Sequence, residues 1–180
     1  MKRIMVALAL MGAALVLAAG VAWAATVDCK VGEFCEGTDE PDDLNGTNQP
    51  DEMSGLQDDD LLVGFMGADE MYGDDPEPVG DDTPTDGDDE LIGYRGHDTL
   101  FGFGGSDYLR GGRGDDFIDA TEESDNPGKD TVRGSRDQDS IVADDGFKDT
   151  IFCGRGEDEV FFDKGLDIVA DNCELQNPRS

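Results

Sequence analysis

Asp51, Asp60 and Asp69 follow Asp42 at steps of nine residues, and Asp98, Asp107 and Asp116 follow Asp89 in the same way, each with an aliphatic residue two positions later. A carboxylate that returns at fixed pitch beside glycine-rich turns describes a stack of equivalent metal sites, not one catalytic pocket. The chemistry this suits is the binding of a hard cation. Calcium takes six to eight oxygen ligands at about 2.3–2.6 Å, and carboxylates joined by carbonyls from two neighbouring turns can supply them. Several Ca2+ ions are therefore the expected cofactor.

The elements that must hold these carboxylates follow from the same period. Written with Gly at position one, each unit is a six-residue turn ending on the Asp, then three extended residues of which the middle one is aliphatic. Strand alternation sends that middle side chain inward and its neighbours outward. Glycine tolerates positive φ, so the turn can bend tightly and aim carbonyl oxygens inward. Units begin at Gly37, Gly46, Gly55 and Gly64, then at Pro84, Gly93, Gly102 and Gly111, where Gly111, Gly112 and Gly114 complete the strictest copy. After five extra residues, Ala120 to Ser124, two more units carry Asp130 with Val132 and Asp139 with Ile141. One inserted residue, Ala143, precedes three degenerate units with Asp149, Asp158 and Asp167. Residues 73–83 hold Pro76 and Pro78 among acidic residues and read as a loop leaving the stack. Whether that loop replaces one turn stays open at this level, and with it which aspartates share a side.

The chain has 180 residues, with 13 Lys plus Arg against 44 Asp plus Glu and a formal net charge of −31. A compact state so acidic repels itself, and the composition alone would specify disorder unless cations neutralise it. A core one aliphatic side chain wide cannot by itself offset the ordering of the backbone, so metal binding and folding are expected to be one linked event. The same electrostatics argue against nucleic acid and anionic membrane surfaces as partners.

Lys2 and Arg3, an apolar run from Ile4 to Val21, and Ala22-Trp23-Ala24 make the three regions of a secretory signal peptide, with cleavage expected after Ala24. The run is also long enough to consider an uncleaved anchor. A lipoprotein signal is not matched, because Cys29 follows Asp28 instead of small residues. The expected product is secreted, extracellular and not inserted in a membrane. Four cysteines in an exported chain indicate disulfides. Of the three possible pairings, Cys29 with Cys35 and Cys153 with Cys173 is favoured, since each pair is close in sequence and brackets one end of the repeats. The second would close a loop of about 20 residues, worth roughly 3 kcal/mol in chain entropy. A zinc site would want two tight Cys-x-x-Cys pairs, which this sequence does not have.

No enzyme activity is expected. His97 is the one histidine and occupies the variable fifth position of a repeat; any Ser-His-Asp set would have to run through it, and no His-x-x-x-His pair exists. Asp115 beside Asp116 could be drawn as a glycosidase pair, but the repeating acidic turn already explains it. An EF-hand centred on Gly87 fails, because it puts Pro84 at the third loop position and Gly93 where the bidentate Glu belongs. Arg113-Gly114-Asp115 lies inside the strictest turn, where its glycine has a geometric reason. Phe65, Tyr94 and Phe103 each occupy position two and could form an exposed aromatic row for a partner.

From about residue 37 to 170, and most closely at Gly93 to Asp119 and Gly64 to Tyr72, this pattern resembles the RTX (repeats-in-toxin) family of hemolysin-type calcium-binding proteins, whose nonapeptide is a standard example of a β-helix repeat. The resemblance implies an all-β, right-handed parallel β-roll with two nonapeptides per coil and calcium held between turns stacked on the same side. By that likeness the ligands would be Asp42, Asp51, Asp60, Asp69, Asp89, Asp98, Asp107, Asp116, Asp130 and Asp139, joined by turn carbonyls such as those of Gly96, Gly105 and Gly114. The expected organisation is a signal peptide at 1–24, an N-terminal cap at 25–36 with Cys29 and Cys35, a roll at 37–142 with its loop at 73–83, and degenerate repeats with a C-terminal cap at 143–180 stapled by Cys153 and Cys173. The first two units depart from the family pattern with Glu40-Pro41 and Gln49-Pro50, and the last three lose glycine at position one.

Three functions fit these features. The leading one is a secreted calcium-binding protein that folds on the ion. The second is a calcium-rigidified surface adhesion or matrix component with a cell-surface or polysaccharide partner. The third is an export module associated with a hydrolase; against it, only residues 25–36 separate the expected cleavage site from the first repeat, which leaves no room there for a catalytic domain.

Overall fold

In the computed structural model, which describes residues 24–74, 86–121 and 128–179, every regular element is a strand. The expected signal peptide and most of the loop at 73–83 lie outside these residues. The first half of the chain forms β1 (Ala25–Asp28), β2 (Cys35–Glu36), β3 (Asp42–Asn45), β4 (Glu52–Leu56), β5 (Leu61–Val63), β6 (Glu70–Asp74), β7 (Glu90–Arg95) and β8 (Thr99–Phe101). The second half forms β9 (Tyr108–Arg113), β10 (Phe117–Asp119), β11 (Thr131–Arg136), β12 (Ser140–Ala143), β13 (Thr150–Arg155), β14 (Glu159–Asp163), β15 (Ile168–Val169) and β16 (Leu175–Arg179).

Odd-numbered strands stack in chain order in one eight-stranded sheet and even-numbered strands in another, all paired in parallel. Each coil thus gives one strand to either sheet, and about eight coils make a parallel β-solenoid. The register puts equivalent residues side by side. Leu44, Leu62, Leu91, Leu109, Val132 and Ile151 run down one sheet. Met53, Met71, Leu100, Ile118, Ile141 and Val160 run down the other, and every member of both columns is fully buried. The inward residue predicted from alternation is therefore the core, one side chain wide from each sheet.

The ends are closed by covalent and apolar plugs. Both disulfides pair as their spacing in the chain suggested, Cys29 with Cys35 and Cys153 with Cys173. Cys153 is fully buried opposite Gly134, so the loss of glycine late in the chain is a gain of core volume. Phe162 fills the next position in the same way, beside Ala143.

Three insertions are placed differently from the sequence reading. Ala120 and Ala143 are fully buried core residues, not insertions: Ala120 donates its N–H to the carbonyl of Val142, and Ala143 pairs with Phe162. The extra residues lie in the turns beyond them. Gly73 and Asp74 likewise belong to β6, so the acidic loop begins after Asp74. β5 pairs directly with β7 and β6 with β8, so no further coil lies between these strands. All three insertions fall in turns that lead from an even strand to an odd one, between β6 and β7, β10 and β11, and β12 and β13. The opposite flank is an unbroken stack of nine-residue repeats.

Candidate metal centre

The position-six aspartates form two rows, one along each flank. The first runs Asp42, Asp60, Asp89, Asp107, Asp130, Asp149, Asp167; the second runs Asp51, Asp69, Asp98, Asp116, Asp139, Asp158. In each row the backbone N–H of one Asp donates to Oδ1 of the Asp one coil further on, for example Asp89 to Asp107 at 2.8 Å and Asp98 to Asp116 at 2.9 Å. Stacked partners are 18 residues apart, or 29, 23 or 19 where an insertion intervenes. One carboxylate oxygen thus spans neighbouring coils, and the other is left over.

That second oxygen is the informative atom. Oδ2 of Asp60, Asp69, Asp89, Asp98, Asp107, Asp116 and Asp139 is buried with no hydrogen-bond partner, although each of these residues is at most 4% exposed. A buried anionic oxygen without a donor is costly, and burial of a charge is tolerated when a metal or counter-ion meets it. Position one explains how the oxygen gets there: a Cβ on Gly93, Gly102 or Gly111 would collide with Oδ2 of Asp98, Asp107 or Asp116. Among the described residues no three His, Cys, Asp or Glu side chains converge on a point, so carbonyls must complete any coordination shell.

The electrostatics agree. Burial, opposed in part by a backbone hydrogen bond and reinforced by stacked neighbours, pushes the carboxyl groups of Asp60, Asp69, Asp116 and Asp149 up to about 7 and those of Asp89 and Asp139 up to about 8. Burial, reinforced by Asp130 and Asp89 above and below it, pushes Asp107 up to about 10. Rows of carboxylates so reluctant to ionise want either protons or a divalent cation.

Carbonyls are brought to the same flanks by a column of glycines. The carbonyl oxygen of Gly67 lies where a Cβ of Gly96 would sit, and that of Gly96 where a Cβ of Gly114 would sit; Gly87, Gly105 and Gly128 repeat this on the other flank. Gly114 also has φ +117°, whereas Gly146, with φ +97°, has nothing near its missing Cβ. Gly146→Ala should therefore cost only the conformational strain, about 1–2 kcal/mol. Gly114→Ala should cost that plus displacement of the adjoining turn, seen as the larger fall in melting temperature. Equal effects of the two substitutions would refute the steric argument.

The first two turns differ. Thr38 donates both its N–H, at 2.6 Å, and its hydroxyl, at 2.8 Å, to Oδ2 of Asp42. Thr47 does the same to the two oxygens of Asp51. Position-two threonine thus occupies lone pairs that are open in later turns. At the other end Asp149 and Asp158 are as buried as the rest and keep Oδ2 unbonded, so both rows extend past the Asp139 limit of the sequence reading. Asp74 was missed altogether. It sits at position two of the interrupted turn, 3% exposed, accepts the N–H of Gly87, and is pushed up to about 9 by burial and by Asp89. Nothing in the chain flagged it, because position two is leucine or aromatic in the neighbouring units.

His97 is exposed and its Nδ1 faces the backbone N–H of Asp115 at 3.0 Å, a fifth-position contact repeated by Asp115 with Gln138. The aromatic positions split. Phe65 and Tyr94 stack at 6.0 Å on the unbroken flank, but Phe103 packs on Tyr72 and Phe101 across the molecule, so the three do not form one row.

A solenoid whose flanks each carry buried, half-bonded carboxylates over glycine-lined turns is a metal-binding repeat protein, and its all-oxygen donor set fits a hard cation. The model of the RTX calcium-binding nonapeptide repeat matches residues 36–75, 83–118 and 124–160, more than half of the chain, and the chain belongs to that family. No curated protein and no solved structure matches it.

Proposed function

We propose that this is a secreted protein whose turns bind several Ca2+ ions and which folds as it binds them. The observation that carries this reading is the double row of buried Oδ2 atoms without donors. The ligands are Asp60, Asp69, Asp89, Asp98, Asp107, Asp116, Asp130 and Asp139, extended to Asp149 and Asp158, with carbonyls such as those of Gly96, Gly105 and Gly114. Asp42 and Asp51, held by their threonines, bind least. The ion would supply the positive charge that a chain of net charge −31 needs to close on itself. Two disulfides fit an oxidising compartment. Among the described residues no helix is long and apolar enough to cross a membrane.

Linked folding explains why so acidic a chain would serve outside a cell. Where free calcium is low it stays open and easy to export; at roughly 0.1–1 mM calcium, the range of extracellular modules, it closes. Circular dichroism during a calcium titration should show β-structure rising with the ion and falling on chelation. A spectrum indifferent to both would reject the proposal.

A further inference from the structure

A second chemistry lies on the unbroken flank. Between residues 24 and 178 the chain has six arginines, and the coil gathers all of them. Arg95, Arg113, Arg136 and Arg155 stand side by side in register on β7, β9, β11 and β13. Arg110 and Arg133 pair on the adjoining face of the same sheet. Neighbouring strands lie about 4.8 Å apart, so four rungs span roughly 14 Å. An open groove of about 350 Å³ runs among Tyr94, Arg95, Arg110, Arg113, Ser135 and Arg136.

Like charges placed opposite one another in a sheet repel. Yet in a chain with 44 acidic residues none of these arginines forms an ion pair among the described residues, where the pairs are Lys30 with Glu33 and Arg179 with Asp144. The carboxylates nearest in the chain are engaged elsewhere: Asp115 accepts the N–H of Gln138 and Asp137 that of Gly114. Arg133 is held by aromatic rings instead, 4.7 Å from the centre of Phe152 and 5.9 Å from that of Tyr108. Guanidinium forks left open and repeated at strand spacing match a linear series of carboxylate or sulfate groups, each bound by two parallel hydrogen bonds. Tyr94, 48% exposed at one end of the groove, offers a flat face of the kind that stacks on a sugar ring. At physiological ionic strength the acidic remainder of the molecule is screened beyond about 8 Å, so a local cationic strip can act alone.

We propose that this arginine ladder binds an acidic polysaccharide, its guanidinium groups taking successive anionic groups and Tyr94 a sugar ring. The site rests on the calcium-loaded roll proposed above, because only the closed coil brings these arginines into one strip.

The test uses the full chain in saturating calcium, with dextran sulfate as probe and uncharged dextran as control. Retention on dextran sulfate alone is expected. The variant Arg95→Gln, Arg113→Gln, Arg136→Gln should bind at least tenfold more weakly, while Lys30→Gln, Lys148→Gln, Lys164→Gln, which removes the same charge elsewhere, should stay within about twofold. Arg110→Gln with Arg133→Gln is a second, independent removal. Circular dichroism in calcium checks that each variant is folded. Equal losses in the arginine and lysine variants, or no retention of a folded wild-type chain, would overturn the site. Displacement by inorganic sulfate at equal sulfate-group concentration would reduce it to a small-anion site and overturn the polysaccharide assignment. A chain that folds without calcium and still binds through the arginines would uphold the ladder and strike the calcium reading instead.

Discussion

Replacing Asp98, Asp107 and Asp116 together by Asn should abolish most calcium uptake and raise the calcium concentration needed for half-maximal folding by tenfold or more, about 1.4 kcal/mol per tenfold. The substitution is selective because of how each carboxylate is divided. Asn keeps Oδ1, which accepts the backbone N–H of Asp69, Asp89 and Asp98 respectively, so the bonds between coils survive. What changes is Oδ2, the buried oxygen without a donor, which becomes an amide NH2. A donor then points where a cation should sit, and one negative charge is lost at each level. Without calcium the variant should be no less compact than the wild type, since three buried charges have been removed. Calcium binding by isothermal titration and hydrodynamic radius with and without the ion test both halves. A variant that takes up as many ions as the wild type and closes at the same concentration would remove the basis for the metal centre.

Acid should partly replace calcium. In the unfolded chain aspartates titrate near the ordinary value of 3.8, but burial raises Asp60, Asp69, Asp116 and Asp149 to about 7, Asp89 and Asp139 to about 8, and Asp107 to about 10. The metal-free folded state therefore binds more protons than the unfolded state between those limits, and its stability falls as pH rises through the window. Below about pH 4 both states are protonated and the penalty vanishes. In calcium-free buffer the chain should gain β-structure as pH is lowered from 8 toward 4. With calcium, protons and the ion compete for the same oxygens of the folded roll, so its calcium affinity, read by isothermal titration, should fall as pH is lowered. The calcium needed to fold the chain should not rise until about pH 4, where the unfolded carboxylates also protonate. Circular dichroism across this range, in each condition, reads both slopes. Acid that further unfolds the calcium-free chain would show that carboxylate repulsion is not what holds the coil open.

Much of this protein was determined by its repeat alone. A nine-residue period with Asp at position six and an aliphatic residue at position eight can satisfy both demands only by coiling, and the fully buried columns through Leu44 and Met53 are that arithmetic made solid. Both disulfides and the position-six ladder were readable in the same way, since they depend on residue type and nearby spacing. Neighbours one coil apart were not readable once insertions varied the step. The stacking of Asp60 on Asp89 across the acidic loop is 29 residues long, and the pairings across the later insertions are 23 and 19. No local rule says whether an insertion consumes a coil, and closure of the core decides it: Leu62 must meet Leu91. The same closure moved Ala120 and Ala143 from presumed insertions into the interior, gave Asp42 and Asp51 threonine partners, and aligned Arg95 with Arg113, Arg136 and Arg155. Period sets what each residue faces, whereas only parallel pairing between coils sets whom it stands beside.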